Sequence, residues 1–234
     1  MRSCVRTGYN AALRSYGKRA RLVQLFAAAA CCLMALAAAA APAERPVKIV
    51  ALGDSLTAGY QVPAGAAFPT RLEKALQAKG LKVEIANAGV SGDTASGGLA
   101  RLAWSVPDGT DAVIVELGAN DMLRGIEPKV TRAAIEGILS QLQQRGIEVL
   151  LCGMLAAPNF GPDYAHAFDA IYPELASAHN VVFYPFFLDG IAADSKLNQR
   201  DGIHPTAAGI EAIVTRIMPK VEELVARVRA KRGS

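Results

Sequence analysis

Cysteine and histidine are scarce in this sequence of 234 residues, which contains four cysteines and three histidines. Three of the cysteines lie within the first 32 residues, so Cys152 alone remains in the rest of the chain. A single thiol cannot form an intrachain disulfide, whatever the compartment. Because Cys152 ends the apolar segment 148–152, the sequence predicts an inert core thiol rather than a nucleophile.

An excess of basic residues is confined to the N-terminal segment. Residues 1–43 contain six Lys and Arg residues and no Asp or Glu, whereas the remainder contains 19 basic and 21 acidic residues. The net charge after residue 43 is therefore −2, against +4 for the whole chain. A segment without a basic excess lacks the electrostatic pattern typical of nucleic-acid binding, so we expect no nucleic-acid partner.

Residues 1–43 have the pattern of a secretory signal peptide, with a basic start, an apolar stretch over residues 22–41 and small residues around Pro42. We expect cleavage after Ala41 or Ala43, a periplasmic or secreted product spanning residues 44–234, and no stable membrane insertion after cleavage. The apolar stretch is also long enough to span a bilayer, so an uncleaved anchor is the alternative. A lipoprotein is less well supported, because the cysteines of this segment are not preceded by the usual leucine.

Strand-like and helix-like segments alternate after residue 43. The predicted strands cover residues 47–52, 82–87, 111–117, 147–152 and 181–183, and the predicted helices cover residues 68–79, 95–104, 129–145, 164–179 and 205–229. This alternation predicts βαβ units, and hence an α/β domain with one parallel sheet of about five strands and helices on both faces.

The first predicted strand ends at Gly53, Asp54 and Ser55. In an open α/β sheet, ligands bind at the carboxyl ends of the strands, so this turn brings the Ser55 hydroxyl to a position where a nucleophile is useful. Taken alone, the turn is better explained by Ser55 as a helix N-cap.

Further polar groups follow later strands and precede the last helix. They include Gly92, Asn120, Asp201 and His204. Ester hydrolysis needs a nucleophile, a base, a group that orients the base, and donors for the developing oxyanion. His204 suits the base because imidazole titrates near neutrality, and Asp201 can bind its other ring nitrogen. In isolation, Asp201 and His204 are better explained as a turn before a helix that begins near a proline.

Four separated blocks, read in order, resemble the motif blocks of the SGNH (GDSL) hydrolases. They are Gly53-Asp54-Ser55-Leu56, Gly92, Gly118-Ala119-Asn120-Asp121 and Asp201-Gly202-Ile203-His204-Pro205. The resemblance covers about residues 47–218 and implies a flavodoxin-like, three-layer α/β/α fold without a metal or other cofactor. It also implies Ser55 as nucleophile, His204 as base and Asp201 as its partner, with Ser55, Gly92 and Asn120 forming the oxyanion hole.

The activity that the resemblance implies is hydrolysis of carboxylic esters and thioesters, including aryl esters, acyl-CoA-type thioesters and lysophospholipids, through an acyl-enzyme. We expect a small-molecule substrate, a monomeric protein, and substrate-binding residues at Asp54, Ala157, Pro158 and Asn159. A carbohydrate O-deacetylase of the same family is the alternative, although the aromatic content of 6% disfavours it. A non-catalytic protein that binds acyl groups or glycans is disfavoured further, because all five site residues are present together.

Overall fold

Five parallel strands form a single sheet in the computed structural model, which describes residues 45–233. In chain order they are β1 (Val47–Gly53), β2 (Val83–Gly89), β3 (Ala112–Glu116), β4 (Glu148–Cys152) and β5 (Val182–Tyr184). Their order across the sheet is β2-β1-β3-β4-β5, and every neighbouring pair is parallel. The predicted signal peptide and its cleavage sites lie outside the described residues.

Nine α-helices flank this sheet in the described part of the chain. They are α1 (Ser55–Ala58), α2 (Phe68–Ala78), α3 (Ala95–Ala100), α4 (Leu102–Ser105), α5 (Ala119–Leu123), α6 (Pro128–Gln144), α7 (Pro162–Asp169), α8 (Ile171–Ala178) and α9 (Ala207–Gly233). Two short 3₁₀ turns cover Ala64–Ala66 and Pro158–Phe160. Helix α9 packs against α2, whereas α6 packs against α3 and α8. The predicted three-layer α/β/α fold is confirmed.

Helices cover both faces of the central strands, so those strands are apolar almost throughout. All five residues of β3 are buried, and β1 exposes only its second residue, Lys48. A two-sided burial of this kind is typical of parallel sheets. The last residue of β3, Glu116, is the exception to this apolar character, since it carries a carboxyl group and has no exposed surface.

Two predicted helices are interrupted in the structure. The predicted helix 95–104 divides at Arg101 into α3 and α4, and its first half contains two glycines, which are weak helix formers. The predicted helix 164–179 divides at Ala170 into α7 and α8. Pro173 explains this second break, because proline cannot donate the backbone hydrogen bond that would join it to residue 169. The single helices predicted for these two segments were therefore wrong.

The order of the strands determines where loops converge. The chain passes from β1 to β2 on one side and then returns to β3 on the other side of β1. The carboxyl ends of β1 and β3 therefore border the point at which the winding direction changes, where doubly wound sheets leave a crevice for ligands.

Among residues 45–233, no helix combines the length and the apolar character needed to cross a bilayer.

Candidate active site

Ser55 is the first residue of α1, directly after the turn that ends β1. The buried Asp54 caps this helix, since its Oδ1 accepts a hydrogen bond of 2.9 Å from the backbone N–H of Leu56. The turn is tight at Gly53, where an added Cβ would overlap the Oγ1 of Thr57. Glycine is therefore required at this position by the close approach of α1 to β1. The sequence suggested Ser55 as the N-cap, but Asp54 caps the helix, and the hydroxyl of Ser55 is left free for another partner.

The hydroxyl of Ser55 is hydrogen-bonded to His204. Ser55 Oγ lies 2.9 Å from His204 Nε2, and His204 Nδ1 lies 2.8 Å from Asp201 Oδ2. A carboxylate only accepts hydrogen bonds, so the imidazole proton belongs on Nδ1, and Nε2 accepts from the serine hydroxyl. Three residues from two distant parts of the chain thus form one continuous hydrogen-bond chain.

The carboxylate of Asp201 organises its own loop as well as the imidazole. Its Oδ1 accepts hydrogen bonds from the backbone N–H groups of Ile203 (2.9 Å) and His204 (3.0 Å). Chiefly through the backbone N–H of His204, these contacts lower the pKa of Asp201 to about 2. One carboxylate therefore closes the turn expected from the sequence and also orients His204, and it stays ionised at neutral pH.

Two residues that the sequence reasoning missed, Tyr60 and Gln199, support His204 and the loop that carries it. The ring of Tyr60 packs against that of His204, with centroids 4.4 Å apart and an angle of 38° between the planes. Gln199 donates its backbone N–H to the His204 carbonyl at 2.7 Å, and its side-chain amide donates to the carbonyls of Tyr60 and Pro205. The loop after α1 and the loop before α9 are thereby joined around the histidine.

Asn120 lies in the first turn of α5, at the carboxyl end of β3. Its Nδ2 donates a hydrogen bond of 2.9 Å to Asp54 Oδ2, which fixes the amide beside Ser55. The helix starts after Gly118, whose φ of +115° and close approach to the hydroxyl of Tyr172 leave no room for a side chain. An amide nitrogen carries two hydrogens, so one remains after the bond to Asp54.

Asp54, which the sequence reasoning grouped with substrate-binding residues, is fully buried. Its two oxygens accept from the backbone of Leu56 and from the amide of Asn120. Burial raises the pKa of Asp54 to about 6, although both hydrogen bonds act in the opposite direction. The side chain therefore orients the amide of Asn120, and the residue also borders the pocket.

The three groups that the sequence resemblance assigns to an oxyanion hole each keep an unused hydrogen-bond donor. In the described chain, the backbone N–H groups of Ser55 and Gly92 donate to no protein acceptor, and the amide of Asn120 has its second hydrogen. The next residue, Asp121, is different, since its buried carboxylate accepts from the Ala95 backbone and the Thr131 hydroxyl. Asp121 thus ties α5 to α3 and α6.

A pocket with a volume of about 450 Å³ opens beside Ser55 and His204. This volume is typical of sites for small molecules. Asp54, Ala157 and Pro158, which the sequence suggested for substrate binding, line the pocket, whereas Asn159 is exposed one residue beyond the lining. Met154 and Leu155, from the same loop as Ala157, add apolar surface. The apolar wall also contains residues that the sequence did not indicate, namely Met122, Leu123, Phe186, Leu188 and Ile203.

Two of these residues could have been located by the rule that ligand-binding residues follow the carboxyl ends of strands. Phe186 and Leu188 come directly after β5, so the strand-end rule that located Asn120 applies to them too. Among the described residues, no group of three or more His, Cys, Asp or Glu side chains is arranged to hold a metal ion. The groups that the structure brings together at this site are a hydroxyl, an imidazole and a carboxylate.

Comparison with known proteins gives consistent matches. The profile of the GDSL-like Lipase/Acylhydrolase family matches residues 51–212. An arylesterase from Vibrio mimicus is 40% identical over 159 residues, which cover 68% of this chain and 80% of that protein. The thioesterase 1/protease 1/lysophospholipase L1 of Escherichia coli strain K12 is 38% identical over 178 residues, or 76% of this chain and 84% of that protein.

A solved structure agrees with these matches. The crystal structure of AlinE4, described as an SGNH-hydrolase family esterase, is 44% identical in sequence and superposes with a TM-score of 0.66. The match covers 78% of this chain and 98% of that chain. The span matched by the family profile contains every residue of the hydrogen-bonded site, from Ser55 to His204.

Proposed function

The chain belongs to the GDSL-like lipase/acylhydrolase family and is a carboxylic-ester hydrolase, and from this premise we propose that it transfers an apolar acyl group from an ester or thioester to Ser55 and then to water. His204 is the general base and Asp201 the carboxylate that orients it. The observation that carries this proposal is the continuous hydrogen-bond chain from Asp201 through His204 to Ser55, which borders an apolar pocket.

Acylation begins with the hydroxyl of Ser55. His204 Nε2 accepts the hydroxyl proton while Oγ attacks the acyl carbonyl carbon, and the carbonyl oxygen becomes an oxyanion. Asp201 stabilises the imidazolium that forms. When the tetrahedral intermediate collapses, the bond to the alcohol or thiol breaks, and the leaving group takes the proton from His204.

Deacylation repeats these steps with water in place of Ser55. His204 removes a proton from the water as it attacks the acyl-enzyme, and it then returns that proton to Ser55 Oγ as the carboxylic acid leaves. In both halves the proposed oxyanion donors are the N–H groups of Ser55 and Gly92 and the amide of Asn120. Each donor contributes about 3 kcal/mol to stabilisation of the transition state, roughly a hundredfold in rate.

The pocket is better suited to the acyl group of the substrate than to a polar leaving group. Its wall carries aliphatic and aromatic side chains, including Leu123, Phe186 and Leu188, which suit a hydrocarbon chain better than a sugar. Similarity to an arylesterase and to a thioesterase/lysophospholipase points to the same substrate classes. We therefore propose aryl esters, acyl thioesters and lysophospholipids with medium acyl chains as substrates.

A substrate panel tests this proposal. The purified protein is assayed on p-nitrophenyl esters and acyl-CoA thioesters from acetyl to palmitoyl, and on acetylated sugars, with Ser55→Ala as the control. We expect turnover of medium-chain esters and thioesters that Ser55→Ala abolishes. Turnover of acetylated sugars alone would instead establish the O-deacetylase, and binding without turnover would establish a non-catalytic role.

We further propose that residues 1–43 are a cleaved signal peptide and that the product is a periplasmic or secreted monomer. The proposal is supported by the basic start and the apolar stretch of this segment. N-terminal sequencing of the protein from its host compartment is expected to find Pro42 or Glu44 as the first residue. A mature chain that still begins at Met1 would favour the uncleaved anchor.

A further inference from the structure

Arg101 is a buried arginine that the proposed mechanism does not use. It lies at the break between α3 and α4, only 7% exposed, and its guanidinium makes four hydrogen bonds. The acceptors are Asp93 Oδ2 at 2.6 Å, the Ala88 carbonyl at 2.8 Å, the Gly53 carbonyl at 2.8 Å and Ser105 Oγ at 2.9 Å. Four of its five N–H groups are thus satisfied inside the protein.

Two of these acceptors border the proposed oxyanion hole. The Gly53 carbonyl comes two residues before Ser55, and the Asp93 carboxylate comes one residue after Gly92. One planar group therefore joins the turn that carries one backbone donor to the loop that carries the other. Arg101 does not line the pocket and touches none of the reacting groups.

We propose that Arg101 is a positioning residue that fixes the distance between the backbone N–H groups of Ser55 and Gly92. This inference rests on the proposed function, because it concerns the oxyanion hole of that reaction. The same loop is held on its other side by Arg124, whose Nη2 donates to the Gly92 carbonyl at 2.7 Å. The Gly53 carbonyl also accepts from the Val90 backbone at 3.0 Å, which brings the two segments together.

Lysine cannot replace arginine in this position. The guanidinium presents its donors in a rigid fork that reaches three different segments at once, whereas an ammonium group is a single point on a flexible stem. Arg101→Lys keeps the charge beside Asp93 but loses most of the bonds to carbonyls. Because a misplacement of about 1 Å costs about a hundredfold in rate, we expect kcat to fall about 10- to 100-fold while KM stays within about twofold.

Arg232→Lys is the matched control. Arg232 also donates to two backbone carbonyls, those of Arg45 and Pro46, and to a carboxylate, Asp111. It does so at the opposite, amino end of the sheet, where β1 begins. We expect this variant to lose thermal stability while kcat stays within about twofold of the wild type.

The experiment measures kcat, KM, their pH dependence and the melting temperature for the wild type, Arg101→Lys, Arg232→Lys and Ser55→Ala. The expected result is a selective loss of kcat in Arg101→Lys, with an unchanged pH profile because the residues that move protons are intact. An unchanged kcat in Arg101→Lys, or an equal loss in Arg232→Lys, would overturn the inference.

Asp93→Asn gives an independent result if Arg101→Lys does not fold. The amide keeps an oxygen acceptor for the guanidinium but weakens the charge-assisted bond, so kcat is expected to fall severalfold at unchanged KM. A fully active Asp93→Asn variant would then overturn the inference. Failure of the proposed function is distinguishable, since it would appear as wild-type turnover that survives in Ser55→Ala.

Discussion

The Asp201 carboxylate combines two tasks that are usually separate, since it closes a turn with one oxygen and orients the base with the other. The turn is held by hydrogen bonds from two backbone N–H groups to Oδ1, whereas the imidazole binds Oδ2. A substitution that preserves the turn acceptor can therefore isolate the effect on His204. Asn at this position is such a substitution, because its amide oxygen still accepts from the backbone.

Asp201→Asn is expected to lower kcat by about 10³- to 10⁴-fold with a small change in KM. The Asn amide donates a hydrogen bond to His204 Nδ1, so the imidazole carries its proton on Nε2. A protonated Nε2 cannot accept the hydroxyl proton of Ser55. Steady-state kinetics of the folded variant checks this, with circular dichroism as the control for structure. Retention of more than a tenth of kcat would contradict the assigned tautomer.

Glu116 is expected to make stability depend on pH. Its side chain is buried, Oε2 accepts from Thr57 Oγ1 at 2.7 Å, and Oε1 has no partner among the described residues. Burial, reinforced by Asp54, raises the pKa of Glu116 well above its usual value. A raised folded-state pKa stabilises the fold below the unfolded-state pKa of about 4.3, and this contribution is lost as the pH rises through the folded-state value.

Glu116→Gln removes this titration while keeping the shape of the side chain. We expect the melting temperature of the variant to change little at pH 5 and to exceed that of the wild type at pH 9. Melting curves between these pH values measure the difference in slope. If both proteins lose stability in parallel as the pH rises, Glu116 does not carry the effect, and the neighbouring Asp54 becomes the group to test.

At the scale of elements, the short helix α5 contributes two residues to the site. Its first turn carries Asn120, and its last residue, Leu123, lines the pocket while remaining 47% exposed. Movement of α5 would therefore displace the amide of Asn120 and the pocket wall together. Asp121, which anchors the helix to α3 and α6, restricts such movement.

Leu123→Ala is expected to reduce kcat/KM about fivefold for octanoyl esters and to leave acetyl esters almost unchanged. Removing part of a half-exposed wall costs about 1 kcal/mol of contact with a long chain, and a short chain does not reach it. Val130→Ala is the control, because Val130 is 42% exposed and lies outside the pocket lining. Equal losses for acetyl and octanoyl esters would show that Leu123 acts on the catalytic groups instead.

Strand ends were the most predictable feature of the site. Alternating apolar segments located all five strands to within two residues at each end, and the carboxyl-edge rule then located Ser55 and Asn120. The breaks at Arg101 and Ala170 were not predicted. Both had usable signals, since Gly97 and Gly98 precede the first break and Pro173 follows the second.

Pocket walls were less predictable for a physical reason. Leu123 comes from the end of α5, and Leu188 and Ile203 come from two different loops. Their convergence depends on how these three segments are placed, which no pattern within any one of them indicates. Asp54 borders the pocket, as expected for a substrate-binding residue, but its hydrogen bond to Asn120 could not be predicted from the sequence.

At the scale of the molecule, one topological feature assembles the site from segments far apart in sequence. The winding of the sheet reverses between β1 and β3, which brings Ser55 and Asn120 to adjacent strand ends. Helix α9 then packs across β4 and β5, and the loop before it carries His204 to the same edge. The chemistry thus depends on the whole described domain, since no single βαβ unit contains the three groups.

Rapid-mixing kinetics with a p-nitrophenyl ester is the measurement that shows whether Ser55 becomes acylated during turnover. We expect a burst of about one equivalent of p-nitrophenol per active site when deacylation is slower than acylation, and an acyl mass adduct on the peptide that contains Ser55 in acid-quenched samples. Ser55→Ala is predicted to show neither. Turnover by Ser55→Ala, or an adduct on another residue, would contradict the account.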